Sequence, residues 1–175
     1  MIRALRLHPD CRRNAAHRID VSIVLQPSGR LDLRYDLIAR TDMIALPRPA
    51  PSLRTDELWR HSCFEAFLRP SGGESYCEFN FSPSTQWAAY GFDGYRNGMH
   101  PLDMPPPQII VARDAEHVTL EARFQLPESF AAPLRLALCA VIEERDGTLS
   151  YWALNHPAGK PDFHHPDGFA LELVP

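Results

Sequence analysis

The segment YCEFNFSPS, residues 76–84, alternates apolar and polar residues with a period of two. Successive side chains of an extended strand point to opposite faces. One face of this segment therefore carries a thiol and two phenyl rings, which are typical of a core. The other face carries Glu78, Asn80 and Ser82, whose carboxylate, amide and hydroxyl groups are typical of a polar ligand site or of a solvated sheet surface.

Similar alternation recurs along the chain, and Pro, Gly and Asp separate the segments. Residues 134–144 are apolar on both faces, which predicts a central strand that is covered on both sides. We predict an all-β fold, a single-domain antiparallel β-sandwich, because one sheet of this size would leave an apolar face in water. The predicted strand segments are 17–26, 30–39, 61–68, 76–84, 87–92, 108–114, 117–126, 134–144, 149–154 and 169–174.

The chain has 175 residues, of which 45% are hydrophobic and 23% charged, so residues 1–175 are predicted to form one domain with its own core. The net charge of -4 gives no electrostatic reason to expect nucleic acid or an anionic membrane as partner. No leader-like segment and no apolar run of about 20 residues is present, so we expect a cytoplasmic protein. Four cysteines without a CxxC spacing are expected to be free thiols.

The hairpin spanning residues 61–82 is predicted to turn at RPSGG, which sets Glu65 opposite Glu78 on the polar face. Side chains directly opposite have Cβ atoms about 4.5–5.5 Å apart, so two carboxylates there require a cation or a proton between them. The cations closest in sequence are Arg60, His61, Arg96 and Lys160.

Three interpretations of this acidic face remain open. It can be a solvated surface on which the acids pair with arginines. It can be a groove whose carboxylates and amide bind a polyhydroxylated ligand. It can also hold a glycosidase-like pair, Glu65 and Glu78, because retaining enzymes keep two carboxyl groups about 5–5.5 Å apart.

Two segments, 86–100 and 150–169, combine aromatic rings with charged and amide side chains, which is the composition expected of a sugar site. Histidines and Asp162 of the second segment are zinc-type ligands, but the adjacent His164 and His165 point in opposite directions on extended backbone. We therefore predict no metal and no cofactor. Cys63 lies near His61, but nothing in the sequence indicates a lowered thiol pKa.

The segments LWRHSCFEAFLRP (58–70), YCEFNFSPSTQWAAYGFDGYRNGM (76–99) and YWALNHPAGKPDFHH (151–165) resemble the DOMON-like proteins, which are related to family 9 carbohydrate-binding modules. The similarity extends over residues 55–170 and is most specific in the E-A-F and Y-C-E-F-N-F-S-P patterns. It implies a jelly-roll-like β-sandwich.

Relatives in this superfamily bind sugars or haem, and the branch that this sequence resembles consists of stand-alone cytoplasmic proteins. Haem-binding relatives use a methionine and a histidine as axial ligands. Residues of these types are present here in a Pro-rich segment: Met99, His100 and Met104.

These observations favour a non-catalytic module that binds a small polar ligand, with a saccharide as the leading example. The alternatives are a hydrolase that uses Glu65 and Glu78, a haem-binding domain, and a protein-interaction domain marked by an exposed apolar patch. The oligomeric state is not predicted. The predicted ligand-binding residues are Arg60, His61, Glu65, Glu78, Asn80, Trp87, Tyr90, Arg96, Trp152, His156, Lys160, Asp162 and His164.

Overall fold

The computed structural model describes residues 1–12, 15–127, 130 and 133–174, and its strands form two antiparallel sheets. The predicted all-β sandwich is confirmed. Within the described residues, no helix is long and apolar enough to cross a membrane. The strands are β1 (Ile2–Ala4), β2 (Arg6–Leu7), β3 (Ala16–Leu25), β4 (Arg30–Ala39), β5 (Cys63–Pro70), β6 (Tyr76–Phe81), β7 (Trp87–Phe92), β8 (His100–Pro101), β9 (Gln108–Arg113), β10 (His117–Gln125), β11 (Leu134–Glu143), β12 (Leu149–Ala153) and β13 (Leu171–Leu173). Short 3₁₀ turns cover Thr41–Met43, Leu58–Arg60 and Pro166–Gly168.

The smaller sheet has the strand order β1-β3-β4-β10-β9. The larger sheet has the order β2-β12-β11-β5-β6-β7-β8, and β13 pairs with one end of β11. Strands β1, β2 and β8 were not predicted, because two or three residues are too few to show an alternating pattern.

The main core lies between the two sheets, and it contains the apolar side of the 76–84 segment as predicted. Phe79 and Phe81 are each 1% exposed, and their rings pack on Phe124 of the smaller sheet at 4.6 and 5.3 Å. The Tyr35 hydroxyl donates a hydrogen bond of 2.8 Å to the backbone carbonyl of Glu65, which ties the two sheets together. Full burial of a phenyl ring contributes about 1.5–3 kcal/mol, so these rings are major stabilisers of the sandwich.

The predicted register of the β5–β6 hairpin is wrong by two residues. Glu65 lies opposite Asn80, and Glu78 lies opposite Phe67. The reason is the position of the turn, which occupies residues 71–75 and not the predicted 69–73, and which passes through Gly72 in the left-handed region at φ +83°. A shift of two preserves the faces, so both acids still lie on the outer face of the larger sheet.

A second apolar cluster lies on that outer face, and the segments 93–99 and 162–169 lie over it. Phe169 and the partly buried Phe163 pack there against Phe67, Tyr76 and neighbouring side chains. Strand β11 is consequently buried on both faces, as its apolar sequence predicted.

The interpretation of the acidic face as a solvated surface is wrong for the same reason. Glu65, Glu78 and Asn80 are only 3%, 5% and 0% exposed. The covering segments turn this polar row into the floor of a cavity.

Candidate functional site

A cavity of about 1150 Å³ lies over the outer face of the larger sheet. Strands of this sheet form its floor, and its walls come from three loops, at residues 56–60, 96–101 and 160–164. Ligand pockets for small molecules commonly enclose about 300–1,000 Å³, so this one has room for more than a single sugar ring. The residues lining it are Asp56, Glu57, Trp59, Arg60, Glu65, Glu78, Tyr90, Phe92, Arg96, Met99, His100, Pro101, Val141, Leu149, Tyr151, Lys160, Pro161, Phe163 and His164.

The floor of the cavity holds two buried carboxyl groups. The Asn80 amide donates a hydrogen bond of 2.7 Å to Glu78 Oε1, while Glu78 Oε2 lies 3.7 Å from His164 Nε2, beyond hydrogen-bond distance. Neither carboxyl oxygen of Glu65 accepts a hydrogen bond from a described residue. A buried polar group without a partner is costly, so Glu65 marks a position where a bound molecule can supply the missing contact.

Burial shifts the acid–base properties of both floor carboxyls. Desolvation, followed by the charge of Glu78, raises the pKa of Glu65 well above its ordinary value. Desolvation raises the pKa of Glu78 to about 7, although the Asn80 amide and the charge of Arg96 oppose that shift. Near neutral pH the floor therefore holds protons that two solvated carboxylates would lose.

The His164 ring forms part of the wall and is enclosed by aromatic side chains. Its centroid lies 5.1 Å from those of Phe67 and Phe92, and burial lowers its pKa to about 4. The Tyr76 hydroxyl accepts the backbone N–H of Arg96 at 3.1 Å and lies 2.8 Å from His164 Nδ1. In neutral His164, Nδ1 then accepts the tyrosine proton, and the Nε2–H group faces Glu78.

The cations at the cavity are partnered at its rim and not with the floor acids. Arg60 pairs with Glu57 at 2.7 Å, and Arg96 pairs with Asp162 at 2.8 Å. The exposed Lys160 has no ion-pair partner among the described residues. The interpretation in which arginines neutralise Glu65 and Glu78 is therefore wrong.

Two wall residues have a strained backbone. Glu57 and Arg96 lie in the left-handed region at φ 60° and 53°, which is uncommon for residues other than glycine. Such conformations cost about 1–3 kcal/mol and persist where the surrounding structure enforces them, often at ligand sites. Here the Glu57 carboxylate and the Arg96 guanidinium lie on different loops of the cavity rim.

An aromatic rim surrounds the polar floor, and the sequence analysis overlooked its most exposed member. Trp59 is 47% exposed, and Arg60 stacks over its ring at 5.3 Å. Tyr151 and Phe163 form a T-shaped pair with centroids 6.0 Å apart. The signal in the sequence is a tryptophan within the polar, turn-forming segment 55–60.

The structure brings seven of the predicted ligand-binding residues to the cavity: Arg60, Glu65, Glu78, Tyr90, Arg96, Lys160 and His164. Asn80 and Asp162 do not line the cavity, but they bond to Glu78 and Arg96, which do. His61 lies outside, where its Nδ1 is 2.8 Å from Glu143. His156 bonds to the Arg6 carbonyl instead.

The expectation that Trp87 and Trp152 stack on a ligand at this face is not supported by their positions. Both rings belong to the core between the sheets, on the side opposite the cavity. Trp152 is 1% exposed, and its indole N–H bonds to Ser150. The alternation along β7 and β12 instead directs Tyr90 and Tyr151 to the outer face.

Other hypothesised chemistry finds little geometric support. The Cys63 thiol is fully buried, and desolvation raises its pKa, so it is not an activated nucleophile. Among the described residues, no group of three or more His, Cys, Asp or Glu side chains is placed to hold a metal ion. Of the haem-type ligands, Met99 and His100 line the cavity, whereas Met104 packs against the main core.

Comparison with known proteins shows a similarity of fold. No protein-family model matches this sequence, and no curated protein matches it. The crystal structure of a candidate carbohydrate-binding protein from Bacteroides uniformis is similar, with a TM-score of 0.65 and 13% sequence identity. The similarity covers 96% of this chain and 83% of that chain. At this level of identity the likeness concerns the fold alone.

Proposed function

We propose that this protein is a non-catalytic module that binds a saccharide in the cavity over the larger sheet. The observation that carries the proposal is the combination of an aromatic rim with a polar floor whose Glu65 carboxyl lacks a partner. Sugars present C–H faces to aromatic rings and hydroxyls to carboxylates and amides, so each part of the cavity matches one part of such a ligand.

Two further facts support this function. The similar protein from Bacteroides uniformis is described as a candidate carbohydrate-binding protein, and the sequence patterns resemble DOMON-like proteins and family 9 carbohydrate-binding modules. In addition, the polar face carries a defined cavity and not the flat apolar patch expected of a protein-interaction domain.

We expect that Trp59→Ala weakens saccharide binding by roughly tenfold without changing thermal stability by more than about 0.5 kcal/mol. The ring is half exposed, so it contributes to a ligand and not to the core. Thermal shift and titration calorimetry with mono- and oligosaccharides measure both quantities. A ligand at about 100 times its Kd should stabilise the wild type by roughly 2.7 kcal/mol.

The matched control is Ile110→Ala, which removes a similarly exposed apolar side chain from the smaller sheet. It should leave saccharide binding unchanged. Equal saccharide affinities of the wild type and Trp59→Ala would show that Trp59 does not contact the ligand. If no saccharide of the panel binds the wild type, the proposed function is wrong.

Glycoside hydrolysis is the second candidate, because the pKa of Glu78 near 7 is suited to a general acid. Such enzymes need their two carboxyls at separate pKa values, so that one remains ionised as nucleophile or base. Glu65 does not meet that need, because its pKa is raised as well and no described hydrogen bond holds its carboxylate. The geometry therefore favours binding over hydrolysis.

We expect no turnover of aryl glycosides or oligosaccharides by the wild-type protein between pH 5 and 8. Release of nitrophenol or of new reducing ends is the direct measurement. If the wild type cleaves a substrate, and both Glu78→Gln and Glu65→Gln lose this cleavage but still bind the ligand, the protein is a hydrolase and not a non-catalytic binding module.

A further inference from the structure

The two floor acids of the cavity have no protein cation bonded to them. Arg60 and Arg96 are engaged with Glu57 and Asp162 at the rim, and His164 is held neutral by burial. Three carboxyl oxygens at the floor accept no hydrogen bond from a described residue: Glu65 Oε1, Glu65 Oε2 and Glu78 Oε2.

Building on the saccharide-binding function proposed above, we propose that this floor is a subsite for a protonated amine, so that the ligand is an amino sugar or an oligosaccharide of amino sugars. An ammonium group has three N–H donors, which match the three unpartnered oxygens in number. Two neighbouring buried carboxyls avoid repulsion either by keeping protons or by sharing a cation, and an ammonium group supplies that cation.

The wall chemistry fits the same ligand. Tyr90 lies opposite Glu78 on the neighbouring strand, and its hydroxyl is held by Asp56 at 2.6 Å. Phe92 lies on the same outer face. A ligand cation near aromatic faces gains cation–π attraction that increases as water is excluded, whereas a neutral hydroxyl gains no such attraction.

The cavity also separates its charges by depth. Its cationic side chains are at the rim, and its unpaired acids are at the buried floor. An anionic sugar acid would place its charge against Glu65 and Glu78, which like-charge repulsion disfavours. A basic saccharide would place its amine there, while its hydroxyls reach Arg60, Arg96 and Lys160.

The test is titration calorimetry of wild-type protein at pH 7 with three matched β-1,4-linked probes: oligomers of glucosamine, of N-acetylglucosamine and of glucose. We expect the glucosamine oligomer to bind at least tenfold more tightly than the other two, since charge-assisted hydrogen bonds form only with the amine. Glu65→Gln should reduce that preference to less than threefold. The Ile110→Ala control should retain it.

The outcomes separate the amine subsite from saccharide binding itself. Neutral oligomers that bind as tightly as the glucosamine oligomer would overturn the amine subsite and leave the saccharide module in place. A preference that survives in both Glu65→Gln and Glu78→Gln would also overturn it. If no oligomer binds but a simple aliphatic amine does, the result supports the amine subsite and contradicts the saccharide-binding function.

Discussion

Replacement of Trp152 by alanine is expected to lower the free energy of unfolding by about 3–5 kcal/mol, which is the range for large-to-small changes at buried aromatic positions. The indole is 1% exposed and packs between the sheets, opposite Ala140 and near Leu7 across neighbouring strands. Its removal leaves a void, and it also leaves the buried Ser150 hydroxyl without the indole N–H donor. For a chain of this size, the melting temperature should fall by about 10 °C.

Urea denaturation and calorimetry check this expectation, with Trp59→Ala as the matched tryptophan control. The control should leave the urea midpoint nearly unchanged, because its ring is 47% exposed at the cavity rim. The reverse pattern, with a stable Trp152→Ala and a destabilised Trp59→Ala, would contradict the assignment of Trp152 to the core. Comparison of the two variants thus distinguishes a tryptophan that packs in the core from one that lines the cavity.

The sequence was sufficient to assign side chains to the two faces of each strand. It was not sufficient to predict whether the other sheet, a loop or solvent covers each face. Alternation placed Phe79 in the core and Glu78 on the other side, and both assignments hold. The same rule excludes a shared face for Trp87 and Tyr90, because an odd spacing of three residues points them to opposite sides. Both had been predicted as stacking residues, and only Tyr90 lines the cavity.

Register depends on the turn, and the turn was the least certain part of the hairpin. The turn lies later in the chain than predicted, so Glu65 is opposite Asn80 and the two acids are diagonal neighbours instead of direct partners. Because side-chain direction has a period of two, this shift preserved the acidic face but changed the geometry on which a glycosidase-like spacing had been based.

The burial of the floor could not be predicted from local patterns, because it depends on contacts distant in sequence. His164 reaches Tyr76 across 88 positions, and Tyr95 donates a hydrogen bond to Asp162 across 67. These contacts hold two loops over the outer face of the sheet. A strand with carboxylates on one side looks the same in sequence whether such loops cover it or water does.

The free energy of unfolding is expected to decrease as the pH rises above 6.5, and Glu65 contributes to this decrease. Desolvation, followed by the charge of Glu78, raises the pKa of Glu65 in the folded protein well above the ordinary value near 4.5, so above that value the folded state retains a proton that the unfolded state has lost. Unfolding then releases a proton, and stability decreases by about 1.4 kcal/mol per pH unit. Glu78 adds to the decrease up to its folded pKa of about 7.

His164 has the opposite effect at lower pH. Its pKa falls from 6.5 to about 4 on folding, so between these values the unfolded state binds the extra proton and stability rises with pH. Above pH 6.5 this contribution is complete, and only the acids remain to lower stability. Arg96 is the charged group that opposes the shift of the Glu78 pKa. The charges of the two acids add to the burial that raises the pKa of their ionisable neighbours, which are Tyr35, Cys63, Tyr76, Tyr90, Cys139 and Tyr151.

Glu65→Gln should abolish most of the decrease above pH 6.5, because glutamine resembles the protonated carboxyl in shape and cannot ionise. Urea unfolding at half-unit steps from pH 5 to 8 measures the slope, and this range avoids ionisation of the buried thiols. The exposed Glu116→Gln is the control and should keep the wild-type slope. A wild-type protein whose stability is constant from pH 6.5 to 8 would show that Glu65 ionises freely in the folded state. Such a carboxylate would already be satisfied by water, and the cavity floor would then offer a ligand amine no advantage over solvent.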